Sequence, residues 1–222
     1  MAYRAVIFDL GGVVLGSPLH AIAAYEREIG LPAGFVNRVV VDSGPGGAWS
    51  RLERGEISME AFHPAFEADC ETRGQSLSGA ELMLRVRESA QPRPAMLEAV
   101  RRIRALGLVA AALTNNWASE EGGGTSPLRP HFDFFFESSQ LGLRKPDPRI
   151  YRYACDLMGV PAEEAIFLDD IGGNLKPARA LGMTTLKVDD PDVALAELSE
   201  LLGSGLGAGS GLGAGSDLGA DS

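Results

Sequence analysis

The feature that most constrains the fold is a set of five short apolar runs, rich in strand-forming residues and separated by helix-like segments. These runs occupy residues 5–8, 108–113, 132–135, 165–168 and 184–188. Their hydrophobicity is continuous rather than alternating, which indicates strands buried on both faces, as in a parallel sheet covered by helices. The sequence therefore predicts an α/β fold whose functional residues follow the carboxyl ends of its strands.

Glycine and proline mark where several predicted helices begin and end. Gly107 ends a helix just before the second strand. Asp147 and Pro148 have the residue types of an N-cap and a first helical position. Pro177 is predicted to open another helix, which Gly182 terminates. These signals place helices between the predicted strands.

After the first strand the pattern changes to helices without obvious strands. Ile22, Tyr25 and Ile29 form one apolar stripe at helical spacing. A capping box, S-x-x-E, begins at Ser78 and marks the start of another helix. We therefore expect a separate small helical unit, a cap domain, over residues 16–91.

This cap is predicted to interrupt a core domain formed by residues 1–15 and 92–202. The remaining residues, 203–222, repeat the hexapeptide GLGAGS with almost no bulky side chains. Such a segment buries too little apolar surface to offset its loss of conformational entropy, so we expect a flexible tail. Its glycines follow no buried strand and complete no G-x-G-x-x-G, which argues against a nucleotide-binding loop.

Charge and cysteine content exclude several classes of protein. Asp and Glu outnumber Lys and Arg by 30 to 20, so a net charge of −10 offers nucleic acid or anionic lipid no general attraction. The N-terminal apolar run is too short for a signal peptide or a membrane span, and we expect a soluble, cytoplasmic protein. Cys70 and Cys155 lack C-x-x-C spacing and are predicted to be reduced, structural thiols. No feature predicts an oligomeric state.

Polar residues with chemical potential follow the first two predicted strands. Asp9 ends the first strand and precedes two glycines that allow a sharp turn. A carboxylate in that position can attack an electrophile and be released by water, although a turn-capping aspartate has the same pattern. Thr114 and Asn115 end the second strand, where a hydroxyl and an amide can donate hydrogen bonds to phosphate oxygens.

A lysine and an acidic pair follow later in the chain. Lys145 precedes a rigid proline turn and can neutralise charge on a nucleophile and on a transferring phosphoryl group. Asp169 and Asp170 directly follow a buried strand, where adjacent carboxylates are unfavourable unless a cation offsets their repulsion; such hard oxygen ligands suit Mg²⁺. Each feature alone is also typical of caps, turns or solvated surface. Their occurrence together indicates an active site.

These motifs, FDLGGVV, LTNNW, GLRKPDPRIY and FLDDIGGNLKPARALGM, together resemble the four motifs of the haloacid dehalogenase superfamily. The likeness extends from residue 3 to about residue 188. Within the superfamily the chain is similar to the phosphatase-type N-terminal domain of soluble epoxide hydrolases. The resemblance implies a Rossmann-like core with an inserted helical cap, a Mg²⁺ cofactor and a small phosphorylated substrate.

The resemblance also implies a role for each residue of the motifs. Asp9 would be the phosphorylated nucleophile, and the magnesium ligands would be Asp9, the backbone carbonyl of Gly11 and Asp170. Asp169 and Asn174 would support the metal or its loop. Lys145 would steady the charge. Phosphate contacts would come from Gly12, Thr114, Asn115 and Lys145.

Gly11 departs from the Asp-x-Asp of phosphatases in this superfamily, whose second acid serves as general acid and base. Such help is typically worth about 10²- to 10⁴-fold in rate, so we expect slow hydrolysis, or hydrolysis confined to esters with good leaving groups. Two interpretations stay open: a magnesium-dependent phosphatase acting through an aspartyl phosphate on Asp9, and a weak or inactive phosphate-binding or regulatory protein. The Asp169–Asp170 pair argues against a dehalogenase, and the absence of Lys from residues 16–91 argues against a phosphonatase.

Substrate choice is expected to depend on the cap, because lids over such sites contact the substrate and exclude water. The stretch GAWSRLERGEISMEAF resembles the family's cap. Its notable side chains either pack the cap helices or face the substrate, and the first alternative is favoured. They are Trp49, Arg51, Arg54, Glu56 and Phe62.

Overall fold

The computed structural model describes residues 2–118 and 124–203 and centres on a sheet of parallel strands. In the described residues the strands are β1 (Ala5–Phe8), β2 (Val109–Thr114), β3 (Phe134–Glu137), β4 (Ala165–Asp169) and β5 (Thr184–Lys187). Their order across the sheet is β3-β2-β1-β4-β5. The prediction of an α/β fold with a Rossmann-like parallel sheet is therefore confirmed.

The third predicted strand differs from the observed one in its start. The apolar run was expected to pair from residue 132, but β3 begins at Phe134. The N–H of Phe132 donates to the carbonyl of Arg129 and closes a turn, while its ring remains in the core. Continuous hydrophobicity therefore marks burial correctly here but places the strand two residues too early.

The first strand lies in the middle of the sheet, and every residue of it is apolar and fully buried. In the register of the sheet, Phe8 pairs with Ala112 of β2 and with Leu168 of β4. Asp9 and Asp169 therefore reach the same edge. From β1 the chain adds β2 and β3 on one side of β1, and later β4 and β5 on the other side. Such a reversal of strand order leaves a crevice at the carboxyl ends of the strands beside β1.

Helices cover both faces of the sheet. Val6 and Phe8 face the cluster formed with α6 (Pro94–Ala105) and α10 (Pro191–Leu202). Ile7 faces the opposite cluster, formed with α8 (Pro148–Met158) and α9 (Gly172–Ala180). A short helix, α7 (Ser138–Leu141), follows β3. Full burial of each large apolar side chain contributes about 1.5–3 kcal/mol, so these two clusters hold the site's strands in place.

Five further helices lie between β1 and α6 and form what we call the helical segment, residues 18–89. They are α1 (Pro18–Glu28), α2 (Phe35–Ser43), α3 (Ala48–Glu53), α4 (Met59–Glu71) and α5 (Gly79–Ser89). Their apolar side chains form a cluster separate from the two at the sheet. At its centre Phe62 and Phe66 stack 5.3 Å apart, and the ring of Trp49 packs edge-on against both. Trp49 and Phe62 therefore pack the helices, as favoured by the sequence.

Two connections join the helical segment to the sheet, and they run side by side. Gly16 donates its N–H to the carbonyl of Gln91 at 2.9 Å, and Leu15 bridges to Pro92. A Cβ atom added at Gly16 would lie 2.1 Å from the carbonyl oxygen of Ser89. The close approach of the two connections therefore requires glycine at position 16.

Two predictions at helix ends were wrong. Pro177 lies inside α9, which begins at Gly172, because the Ile171 N–H donates to the Asp169 carboxylate and starts the turn early. Ile29 lies just after α1 and is 41% exposed, because the helix ends at Glu28.

Other helix predictions are confirmed in whole or in part. Pro148 is the first residue of α8, and the Asp147 side chain caps that helix by accepting the N–H of Arg149. Ser78 caps α5 by accepting the N–H of Glu81 at 3.2 Å. The Glu81 carboxylate pairs with Arg85 instead of returning to Ser78, so only half of the capping box forms.

Both cysteines are buried and unpaired, which confirms the prediction of structural thiols. Burial raises the pKa of Cys70 to about 12 and that of Cys155 to about 11, so neither thiol is reactive near neutral pH. Across the described residues, every helix is too short or too polar to cross a bilayer. The predicted tail, residues 203–222, lies outside the described residues except for Gly203, which caps α10.

The contact at Gly16 predicts that Gly16→Ala destabilises the protein. The added methyl group would press on the Ser89 carbonyl and force the two connections apart, at a cost of about 1–3 kcal/mol, as for other overpacked sites. Gly46→Ala is the matched control, because a Cβ there meets nothing within 4 Å. Urea unfolding of both variants measures the difference, and equal stability of the two would contradict the prediction.

Candidate active site

Four residues predicted from the sequence lie together at the carboxyl edge of the sheet. The Lys145 Nζ atom is 2.9 Å from Asp9 Oδ1 and 2.7 Å from Asp169 Oδ2. Carboxylate oxygens of Asp9, Asp169 and Asp170 all lie within 4.8 Å of one another. The Lys145 side chain is 1% exposed and that of Asp169 is fully buried. The structure thus assembles a buried cluster of three acids and one lysine.

Asp9 is held at the end of β1 by its own backbone and by a tight turn. Its N–H donates to the Leu168 carbonyl of β4 at 2.9 Å, and its Oδ1 accepts the N–H of Leu10 at 2.6 Å. The following turn requires glycine at position 12, where φ is +80° and a Cβ atom would lie 2.0 Å from Asp170 Oδ2. Gly11 has an ordinary φ of −64°, so the backbone does not require glycine there.

The two adjacent acids after β4 have different surroundings. The Asp169 carboxylate accepts hydrogen bonds from Lys145, from the Asn174 side chain at 3.1 Å and from the Ile171 N–H at 2.8 Å. Among the described residues, the Asp170 carboxylate accepts only one side-chain hydrogen bond, from Ser17 at 3.4 Å. Asp170 therefore keeps oxygens available for a cation, whereas those of Asp169 are engaged by protein donors.

Burial makes the charged state of this cluster unfavourable. It raises the pKa of Asp9 well above its usual range, and Lys145 opposes that shift while Asp169 adds to it. Burial also raises the pKa of Asp170 to about 6, with a smaller contribution from Asp169. Burial alone would lower the pKa of Lys145, but Asp169 and Asp9 outweigh it and the net pKa is raised. One ammonium thus faces three carboxylates.

The donor set fits a hard divalent cation. Asp9 and Asp170 offer carboxylate oxygens that can approach one ion, and Mg²⁺ prefers few such ligands together with water. A cation there would offset the repulsion that raises the pKa of both acids. The cluster is therefore able to hold a metal ion, and the Asn174 side chain donates to Asp169 beside it.

Asn115, predicted to contact phosphate, uses its side chain to hold the lysine loop, which is the segment between α7 and α8 that carries Lys145. Its Oδ1 accepts the N–H of Lys145 at 2.8 Å, and its Nδ2 donates to the Lys145 carbonyl at 3.0 Å. The same Nδ2 donates to Glu53 Oε2 at 3.3 Å. Thr114 is buried at the end of β2, and its hydroxyl donates to the Asn115 carbonyl at 3.4 Å. Phosphate binding by these two side chains stays a prediction.

A cavity of about 630 Å³ opens from the acidic cluster toward the helical segment. Its polar end contains Asp9, Gly11, Lys145, Asp170 and Asn174. Its other wall is apolar and comes from α1 and α2, with the residues Pro18, Leu19, Ile22, Val36, Val40 and Val41. Leu19 and Val41 remain 38% and 66% exposed at the rim. The cavity thus combines an acidic end with an apolar wall.

Sequence reasoning missed Glu53 and Arg144, which also line the cavity and form an ion pair with each other. It did name Trp49 and Arg54, which line the cavity as well, and Arg54 pairs with Glu56 at 2.6 Å. The available signal was spacing, since Glu53 follows Trp49 by four residues and so shares its helix face; the Trp49 Nε1 donates to Glu53 at 3.0 Å.

Comparisons with known proteins point to one family. A family model described as a haloacid dehalogenase-like hydrolase matches residues 3–182. Bifunctional epoxide hydrolase 2 of Sus scrofa is 37% identical over 91% of this chain, which spans only 39% of that relative. A sesquiterpene phosphatase of Aspergillus oryzae is 27% identical over 90% of this chain and 97% of its own length.

Among solved structures, a haloacid dehalogenase family enzyme from Bacteroides thetaiotaomicron, in complex with magnesium and inorganic phosphate, has a similar fold. Its TM-score is 0.58 at 20% sequence identity, and the match covers 84% of this chain and 94% of that one.

The acidic cluster predicts that Mg²⁺ stabilises the protein more at pH 7.5 than at pH 5. With its pKa raised to about 6, Asp170 is mostly protonated at pH 5 and must lose its proton before it binds a cation. Above that pH the charged carboxylate is available. Binding should raise Tm by about 2–4 °C per kcal/mol of binding free energy.

Thermal unfolding with and without 10 mM Mg²⁺, roughly 100-fold above an assumed 0.1 mM Kd, measures the shift. Asp170→Asn is the control and should lose most of it. An equal shift at both pH values, or an undiminished shift in Asp170→Asn, would contradict the prediction.

Proposed function

The chain belongs to the haloacid dehalogenase-like hydrolases, and from this premise we propose that it is a magnesium-dependent phosphatase that acts through an aspartyl phosphate on Asp9. The substrate is a small phosphate ester with an apolar group. The observation that carries the proposal is the contact of Asp9 with buried Lys145, beside Asp170 and at the polar end of the cavity.

In the proposed reaction Asp9 provides the nucleophilic oxygen. That oxygen bonds to phosphorus while the ester P–O bond breaks, and the alcohol leaves with a proton from a water molecule. The hydroxide so formed attacks the phosphorus of the aspartyl phosphate, which breaks the bond to Asp9, releases inorganic phosphate and restores the carboxylate. Lys145 opposes the rise in the pKa of Asp9 that burial causes, and its ammonium faces the developing negative charge.

The metal would be held by Asp9, Asp170 and the backbone carbonyl of Gly11, with Asp169 and Asn174 supporting the loop. When bound, Mg²⁺ would neutralise charge on the phosphoryl oxygens. Gly12, Thr114, Asn115 and Lys145 are the proposed phosphate contacts. Asn115 would act there through its backbone, because its side-chain amide is engaged with Lys145.

We further propose that residues 16–91 are a cap domain over a core of residues 1–15 and 92–202, with residues 203–222 as a tail. The separate apolar cluster of the helical segment and the paired connections at Gly16 support this division. The cap would supply the apolar wall through α1 and α2. The sesquiterpene phosphatase among the relatives, named for an apolar substrate, supports the same substrate class.

A series of straight-chain alkyl phosphates tests this function. We expect Mg²⁺-dependent phosphate release, with kcat/KM rising from ethyl to octyl phosphate as methylene groups meet the apolar wall. Each fully buried methylene contributes about 0.8 kcal/mol, which corresponds to about fourfold in kcat/KM. Phosphate release is measured directly for each ester.

Asp9→Asn should abolish turnover, because the amide cannot form the aspartyl phosphate. Val40→Asp is the control for the apolar wall and should flatten the chain-length dependence without removing activity on ethyl phosphate. Metal-independent release that survives Asp9→Asn would rule out the proposed mechanism.

The second candidate function is a phosphate-binding or regulatory protein with little turnover, and Gly11 favours it. A Cβ atom at position 11 would lie 3.3 Å from Cδ of Pro18, so an acid there would require the proline ring to shift by a few tenths of an ångström. In the Gly11→Asp variant alone, the new side chain would therefore be crowded by Pro18. The variant to test is Gly11→Asp combined with Pro18→Ala, and Pro18→Ala alone is its control.

For a phosphatase limited by leaving-group protonation, the double variant should hydrolyse alkyl phosphates about 10²- to 10⁴-fold faster than Pro18→Ala. It should change para-nitrophenyl phosphate much less, because that leaving group needs no proton. If the natural protein releases no phosphate from any ester and the double variant does, the second function is the correct one.

A further inference from the structure

Glu53 carries a buried carboxylate from the helical segment into the site. It lies at the end of α3, is 7% exposed and lines the cavity. Its Oε1 accepts the Trp49 Nε1–H at 3.0 Å. Its Oε2 accepts the guanidinium Nε–H of Arg144 and, at 3.3 Å, the side-chain amide of Asn115. Glu53 therefore receives one donor from its own helix and two from the core.

Both core donors, Arg144 and Asn115, are linked to Lys145, the first through the chain and the second by hydrogen bonds. Arg144 precedes Lys145 in the chain, and Asn115 bonds both the N–H and the carbonyl of Lys145, at 2.8 and 3.0 Å. The Lys145 ammonium in turn contacts Asp9 and Asp169. An unbroken series of contacts thus leads from α3 to the carboxylate at the end of β1.

The rest of α3 also lies tightly against the core at this point. The Arg144 Nη1 approaches the Ser50 hydroxyl at 3.3 Å. Just beyond the helix, Gly55 has φ of +69°, and a Cβ atom there would lie 2.3 Å from the carbonyl oxygen of Ser139. Glu53 is therefore fixed against the lysine loop by its neighbours and not by its own contacts alone.

We propose that Glu53 is a positioning residue: through Arg144 and Asn115 it fixes the Lys145 loop so that the ammonium stays between Asp9 and Asp169. Its importance for turnover rests on the phosphatase function proposed above. Glu53 does not replace the missing acid of position 11, because both of its oxygens are engaged in accepting hydrogen bonds from the side chains of Trp49, Arg144 and Asn115.

Amine labelling tests the positioning directly. The chain has three lysines; Lys145 is buried, whereas Lys176 and Lys187 are exposed and serve as internal references. Metal-free protein is treated with acetic anhydride, and acetylation is mapped by mass spectrometry. Glu53→Gln should raise labelling of Lys145 relative to Lys187 by about tenfold, because loss of one charged hydrogen bond favours local opening of the loop.

Glu81→Gln is the matched control, since Glu81 also belongs to the helical segment and pairs with Arg85 at 2.9 Å, outside the cavity lining. Its Lys145 labelling should equal that of the natural protein. Arg144→Gln removes the same ion pair from the core side and provides a second variant if Glu53→Gln unfolds. The double variant should label no faster than the faster single one, because both changes break one pair.

Kinetics separate positioning from general destabilisation. Glu53→Gln should lower kcat for ethyl phosphate about tenfold, because it displaces Lys145 from Asp9, and should leave the ratio of kcat/KM between octyl and ethyl phosphate unchanged, because it does not alter the apolar wall. Unchanged Lys145 labelling, or faster labelling with unchanged kcat, would overturn the proposal. If the natural protein has no phosphatase activity, the proposed function fails, and the labelling comparison alone decides whether Glu53 fixes the loop.

Discussion

The site depends on one buried ammonium held between two carboxylates. Lys145 is 1% exposed and contacts both Asp9 and Asp169, so each of these charges is compensated where water is excluded. A buried charge without a partner is strongly unfavourable, and removing Lys145 would leave two buried carboxylates without their cation. Asp170 adds a third carboxylate that the lysine does not contact at salt-bridge distance. The unbalanced negative charge explains why the cluster is suited to a divalent cation.

The sheet brings these groups together without any long-range sequence signal. β1 lies in the middle of the sheet with β4 beside it, and both strands end at the same edge. Asp9 and Asp169 therefore become neighbours although 160 positions separate them in the sequence. Parallel pairing imposes this geometry on any residues that follow the strands. The fold, Asp9 and the acidic pair could therefore be predicted from buried runs and the residues that end them, whereas Lys145 follows α7 and was predicted from the proline turn beside it.

Contacts between the helical segment and the core could not be predicted in the same way. Asn115 had the residue type of a phosphate ligand, but its amide is engaged by the backbone of Lys145, which the chain order does not reveal. Glu53 had no motif of its own, and its partners come from two other parts of the chain. Pro177 suggested a helix start, yet the bond from Ile171 to Asp169 begins α9 earlier. Local patterns fail where a tertiary contact decides the outcome.

Gly11 and the apolar wall meet at α1. Pro18, the first residue of that helix, lies against position 11, and Leu19 and Ile22 continue the wall along the same helix. Burying about four methylene groups of a substrate contributes about 3 kcal/mol, which corresponds to about 10²-fold if it is used to position the ester. That gain equals the lower end of the roughly 10²- to 10⁴-fold lost with a general acid. In the proposed phosphatase, the packing of α1 against residue 11 would thus offset lost proton transfer with binding energy, and only substrates with an apolar group would gain that binding energy.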